Sequence, residues 1–182
     1  MRLPGNGWPL LALACQATLL RIDIDESAQT VIPRGTVLEQ LLVDFGFEDF
    51  VALDLTQAEE LQNQGVSPGD IRDARLTAFT LTALAPAGAD LDFLDALSVW
   101  VEAPDLPRVR IASLDPFPAD TPSVDLQLDD VDLTPYLVSA AMTLTTEASG
   151  RRPDADTTLD ATFALRVGVT GQGACNAIKG GD

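Results

Sequence analysis

The stretch Leu159-Asp160-Ala161-Thr162-Phe163-Ala164-Leu165-Arg166-Val167-Gly168-Val169 alternates along its whole length. Leu159, Ala161, Phe163, Leu165, Val167 and Val169 fall on one side; Asp160, Thr162, Ala164, Arg166 and Gly168 fall on the other. Successive side chains of an extended strand point to opposite faces, so this period of two predicts a strand with one buried face. Upstream, Val138, Ala140, Met142 and Leu144 alternate with Ser139, Ala141, Thr143 and Thr145, and a polar stretch, Ala148-Ser149-Gly150-Arg151-Arg152-Pro153-Asp154, lies between the two runs. The pattern predicts a long antiparallel hairpin.

The same alternation recurs toward the N-terminus. Val124, Leu126 and Leu128 alternate with Asp125, Gln127 and Asp129, and the phase slips by one at Asp130 to Val131 and Leu133, as at a β-bulge or a strand end. Val109 and Ile111 alternate with Arg108 and Arg110, Val99 and Val101 with Trp100 and Glu102, and Leu20, Ile22 and Ile24 with Arg21, Asp23 and Asp25. Further strands are expected at Phe50 to Leu55 and Arg75 to Leu84. Helical signals are few: a capping box at Thr56-Gln57-Ala58-Glu59 opens a helix ending near Asn63, Ser67-Pro68-Gly69-Asp70 reads as a helix or turn start, and Thr36 to Phe45 offers one more helical turn. Eight strands with evenly spaced turns predict an all-β fold, a two-layer antiparallel β-sandwich of jelly-roll-like or immunoglobulin-like topology with one or two short helices. Residues 16–182 form a single domain in this reading, since no repeat or low-complexity linker divides them.

Composition removes whole classes of chemistry. The 182 residues include no histidine, one lysine (Lys179) and 28 Asp plus Glu, for a formal net charge of −17. Hydrolysis by a serine or cysteine paired with histidine, and histidine-ligated metal centres, are therefore excluded. So acidic a chain repels nucleic acid and anionic lipid, because phosphate binding needs clustered cations. Partners are expected to be neutral, cationic or metal ions. The preference for arginine over lysine fits a GC-rich genome or a salt-adapted surface.

At the N-terminus, Arg2 precedes the apolar run Trp8 to Ala14 and then Cys15. Residues 1–15 read as a secretory leader, and Leu11-Ala12-Leu13-Ala14-Cys15 resembles the lipobox of bacterial lipoproteins, with Ala12 where Leu, Val or Ile is preferred. Three readings of the cysteines stay open: acylation of Cys15, a disulfide between Cys15 and Cys175, or two unrelated thiols. A Cys15–Cys175 disulfide would be worth about 4 to 5 kcal/mol for so long a loop. No apolar stretch approaches the ~20 residues of a membrane-spanning helix, so membrane attachment is expected only through a lipid anchor.

Two acidic groups stand out as calcium candidates: Asp90, Asp92 and Asp95 after the turn Pro86-Ala87-Gly88-Ala89, and Asp154, Asp156 and Asp160 at and beyond the polar stretch. Carboxylates spaced by two in a loop can converge on one ion, and calcium takes six to eight oxygens. Asp129, Asp130 and Asp132 form a third cluster where the strand phase slips. In a chain this acidic the competing reading of each group is a solvated loop. Paired carboxylates also suit a glycoside hydrolase, although aromatics make up only 5% of the chain. Trp100 is expected to pack structurally under a loop or to serve as an exposed contact, Tyr136 to anchor a crossover between sheets by its hydroxyl, and Arg108 and Arg110 to pair across strands with Asp125 or Asp129.

The leader, the Asp132-Leu133-Thr134-Pro135-Tyr136 stretch, the segment Gly150 to Asp160 and the terminal Ala174-Cys175-Asn176 together resemble an uncharacterised family of secreted or lipid-anchored β-sandwich proteins of GC-rich bacteria. The resemblance implies export to the periplasm, the outer membrane or the exterior, and implies no activity. The expectation is a non-catalytic cell-envelope module that binds an envelope protein or glycan through its loops or a sheet edge. A calcium-dependent adhesion or carbohydrate-binding module is the first alternative and a carboxylate glycoside hydrolase the second.

Overall fold

A computed structural model describes residues 18–35, 67–139 and 142–170. The predicted leader, Cys15, Cys175, the strand at Phe50 to Leu55 and the helical segments Thr36 to Phe45 and Thr56 to Asn63 lie outside the described residues. Eight strands are described: β1 (Thr18–Ile32), β2 (Ile71–Ala85), β3 (Leu94–Ala103), β4 (Leu106–Leu114), β5 (Ser123–Asp125), β6 (Gln127–Leu128), β7 (Thr143–Gly150) and β8 (Thr157–Thr170). A single 3-10 turn, Pro68–Asp70, leads into β2, and a four-residue helix α1, Thr134–Leu137, precedes β7. The strands form two antiparallel four-stranded sheets, in the orders β1-β8-β2-β5 and β6-β4-β3-β7. The chain is an all-β two-layer sandwich.

The alternating run around Phe163 becomes β8, at the centre of the first sheet. Leu159, Ala161, Phe163, Leu165, Val167 and Val169 are all buried, facing Val99, Val101, Ile111 and Leu144 of the second sheet in one core. At about 1.5 to 3 kcal/mol per large apolar side chain removed from water, that face fixes the register, because a slip of one residue would turn Asp160 and Arg166 inward. Phe163 stacks on Phe79 of β2, with ring centroids 6.1 Å apart and planes 18° apart.

The hairpin expected between Val138 and Val169 does not form. β7 pairs with β3 in one sheet while β8 pairs with β1 and β2 in the other, so residues 151–156 cross between layers. The inner strand β8 uses both edges, which leaves none for β7. The β7 strand also starts later than expected, at Thr143, because Val138 is the C-cap residue of α1.

The pairings nest: β1 with β8, β2 with β5, β3 with β4. Nested antiparallel pairs wrapped into two sheets are the jelly-roll arrangement. Among the described strands, β8 separates β1 from β2.

The expected strand from Val124 to Asp129 is a switch between sheets. β5 pairs with β2, β6 pairs with β4, and buried Leu126 between them donates its N–H to the Phe79 carbonyl at 2.9 Å. Val124 and Leu126 plug the open side of the sandwich, so the chain touches each sheet only briefly. Asp132 to Leu137 connects β6 to β7 within one sheet rather than crossing between sheets. It closes the end of the core opposite the 86–93 loop: the Leu133 N–H donates to the Ala74 carbonyl at 2.8 Å, and the Tyr136 hydroxyl donates to the Pro107 carbonyl at 2.7 Å.

Candidate functional site

Strand polarity brings three connections to one end of the sandwich: β2 to β3 (residues 86–93), β4 to β5 (residues 115–122) and β7 to β8 (residues 151–156). Buried Leu91 and Phe93 pin the first loop to the core. Backbone bonds then tie the loops together: the Leu91 N–H donates to the Thr121 carbonyl at 3.0 Å, Arg151 to Phe93 at 2.7 Å and Phe117 to Asp95 at 3.0 Å. Gly150, with φ +147, lets the chain pass so close to Phe93 that a Cβ there would lie well inside contact with the Phe93 carbonyl oxygen.

This framework converges acids. The Asp92 N–H donates to Asp90 Oδ1 at 3.1 Å, and the Asp120 N–H donates to Asp92 Oδ1 at 2.6 Å. Asp120 sits at φ +53, a left-handed conformation that Asp tolerates better than most residues. One carboxylate oxygen each from Asp90, Asp92 and Asp120 lies within 4.8 Å of the others. Three hard oxygens at that spacing suit a calcium ion completed by carbonyls and water, though calcium wants six to eight ligands in all.

Two small open clefts flank the trio. One, of about 230 Å³, is lined by Asp90, Phe93, Arg151, Asp154 and neighbouring loop residues. The other, of about 270 Å³, is lined by Asp92, Leu94, Asp95, Asp115, Phe117 and Pro118 among others.

The sequence-predicted groups divide differently from their spacing. Asp90 and Asp92 come together, but the third member is Asp120, not Asp95. Asp95 is already the second residue of β3, and it lines the opposite cleft with Asp115. Asp154, Asp156 and Asp160 do not converge, because the loop ends at Thr157 and puts Asp160 on a strand. Asp154 lies 3.7 Å from Arg151, and Asp156 Oδ1 accepts from the Arg34 N–H at 2.9 Å. Asp160 accepts from Gln29 at 3.0 Å and from Thr162 at 3.1 Å on the outer face of the first sheet. Asp129, Asp130 and Asp132 are likewise engaged, with Arg110, Arg75 and the Thr134 N–H respectively. Sequence reasoning missed Asp115, Phe117 and Asp120; the Asp- and Pro-rich composition of residues 115–120 is a loop signal that was there to be read, but nothing local places it beside Asp92.

On the outer face of the second sheet, Arg110 pairs with Asp129 at 2.8 Å as expected, while Arg108 reaches over Trp100 to Glu147 at 2.6 Å. The hydrogen bond from Arg110 to Asp129 holds the guanidinium above its ordinary pKa. Arg75 is raised in the same way, first by its bond to Asp73 and then by the charge of Asp130. These ion pairs are exposed, so solvent screening and the entropy of holding two long side chains together leave them little net stabilisation.

No protein-family model and no curated protein matches the chain. Among solved structures it is similar to one of Desmodium yellow mottle tymovirus, with 11% identity over 93% of this chain and 94% of that one and a TM-score of 0.27. A superposition that loose carries no argument. Among the described residues no helix is long and apolar enough to cross a membrane.

Proposed function

We propose that this protein is a non-catalytic binding module of the bacterial cell envelope that engages its partner through the loop end of the sandwich. The observation carrying this reading is the convergence of residues 86–93, 115–122 and 151–156 on one surface with two clefts. Loops set on a rigid sheet scaffold are where such folds place recognition. Clefts of this size fall below the ~300 to 1,000 Å³ of ordinary small-molecule sites, which suits contact with single side chains or an ion. Export rests on the leader-like residues 1–15 and their lipobox-like end.

Photo-crosslinking in the producing organism tests the reading. A benzoylphenylalanine placed at Ala119 or Ala87, both on the loop end, should give adducts in the envelope fraction, and one placed at Thr162 on the outer sheet face should not. Equal adducts from all three positions, or none, would overturn it.

A second reading, the calcium-dependent adhesion or carbohydrate-binding module, is favoured by the approach of Asp90, Asp92 and Asp120. In that reading calcium would stiffen the junction between the 86–93 and 115–122 loops.

A further inference from the structure

We propose that Glu26 keeps the outer edge of β1 from pairing with β1 of a second copy of the chain, a device independent of the loop-end reading above. β1 runs 15 residues, Thr18–Ile32, and among the described residues it pairs with β8 alone. The other outermost strands are shorter: β5 has three residues, β6 two and β7 eight. A long strand edge presents a row of N–H and C=O groups that can template a further strand.

The pairing of β1 with β8 runs without a bulge from Leu20 to Ile32, so the side chains alternate strictly over that length. Ile22, Ile24, Thr30 and Ile32 are buried on the core-facing side, and Ala28 packs against the core there. Glu26 holds the same side, half-buried, with buried Phe163 of β8 as its register partner. Among the described residues its carboxylate has no ion-pair partner. Packing alone would favour an aliphatic residue at this position. An inward-pointing charge on an edge strand blocks further pairing, because an added strand would cover it.

Full antiparallel overlap of Thr18–Ile32 with its own copy centres on Asp25. It sets the two Asp25 side chains opposite each other and presses each Glu26 against Ile24 of the other copy. Opposed like charges destabilise a strand pair, and a carboxylate against isoleucine loses water without gaining a partner. A shift of two residues one way brings the two Glu26 carboxylates face to face; the same shift the other way opposes Asp23 and Asp25.

Sedimentation velocity of the full chain over a wide concentration range tests the proposal. Glu26→Val, which suits both a strand and a core face, should self-associate at least about tenfold more tightly than the unaltered chain. Glu26→Gln, which keeps the shape and removes the charge, should fall between the two, and it carries the test where circular dichroism shows the valine variant unfolded. Ser27→Val, equally apolar but on the exposed outer side, should match the unaltered chain. With Cys15→Ser and Cys175→Ser in place, Asp25→Cys should form a disulfide between chains only when Glu26 is also replaced. Equal association of the unaltered chain and the Glu26 variants would overturn the proposal, as would Ser27→Val associating as strongly as Glu26→Val, or dimers that fail to cross-link at position 25.

Discussion

The guanidinium of Arg108 lies over the indole of Trp100, 4.6 Å from the ring centroid, and continues across β3 to Glu147 on β7. One long side chain from β4 thereby laces three strands on the outer face of the sheet. Trp100, which alternation placed opposite Val99 and Val101, is half-buried beneath it. Arg108→Ala should cost about 1 kcal/mol, the sum of an exposed cation–π contact and a surface ion pair. Chemical denaturation measures the loss. In a Trp8→Phe background, Trp100 emission should shift to the red as its cover is removed.

Phe163→Ala should cost about 3 to 5 kcal/mol, because it removes a buried ring from the central strand and leaves Phe79 without its stacking partner. Thr162→Ala, one position away on the solvent side, should change stability by less than about 0.5 kcal/mol. Urea midpoints of the two variants give the comparison.

Gly150 and Gly88 both carry positive φ, at +147 and +80, but only Gly150 has backbone where a Cβ would go. Gly88→Ala should therefore cost about 1 kcal/mol from conformation alone. Gly150→Ala should cost more than about 3 kcal/mol and loosen the crossing between β7 and β8. Amide exchange at Arg151, whose N–H is bonded to the Phe93 carbonyl, should rise in the Gly150 variant and not in the other.

Stability should be flat between about pH 6 and 8, since the chain has no histidine to titrate there. The raised pKa of Arg75 and Arg110 does not alter this. A cation whose folded pKa exceeds its unfolded one contributes fully below the unfolded value. It loses that contribution only as pH climbs through the folded one, far above this range. Thermal melts across that range check the point, and a sloping midpoint would contradict it.

If calcium occupies the loop end, millimolar calcium should raise the melting midpoint by about 3 °C over chelator. Asp120→Asn should abolish the rise, and Asp95→Asn should not, because Asp120 rather than Asp95 stands beside Asp90 and Asp92. An unmoved midpoint rejects the calcium reading.

The alternation around Phe163, Val99, Ile111 and Ile24 was enough to specify an all-β sandwich and its buried face, since strand period and burial are local consequences of side-chain order. The chemistry struck off by the missing histidine was equally a matter of composition. Pairing partners were not legible. Hydrogen-bonding edges carry no residue code, so β7 and β8, adjacent in sequence and both alternating, went to different sheets once β1 and β2 had taken both edges of β8. The site followed the same logic. Spacing by two nominated Asp90, Asp92 and Asp95, but a strand begins at Leu94 and turns Asp95 away, while Asp120 arrives from a loop distant in sequence whose position depends on where β4 ends and β5 begins. Side-chain order along the chain determined which surfaces are apolar; only the closure of two sheets around a shared core decided which acids meet.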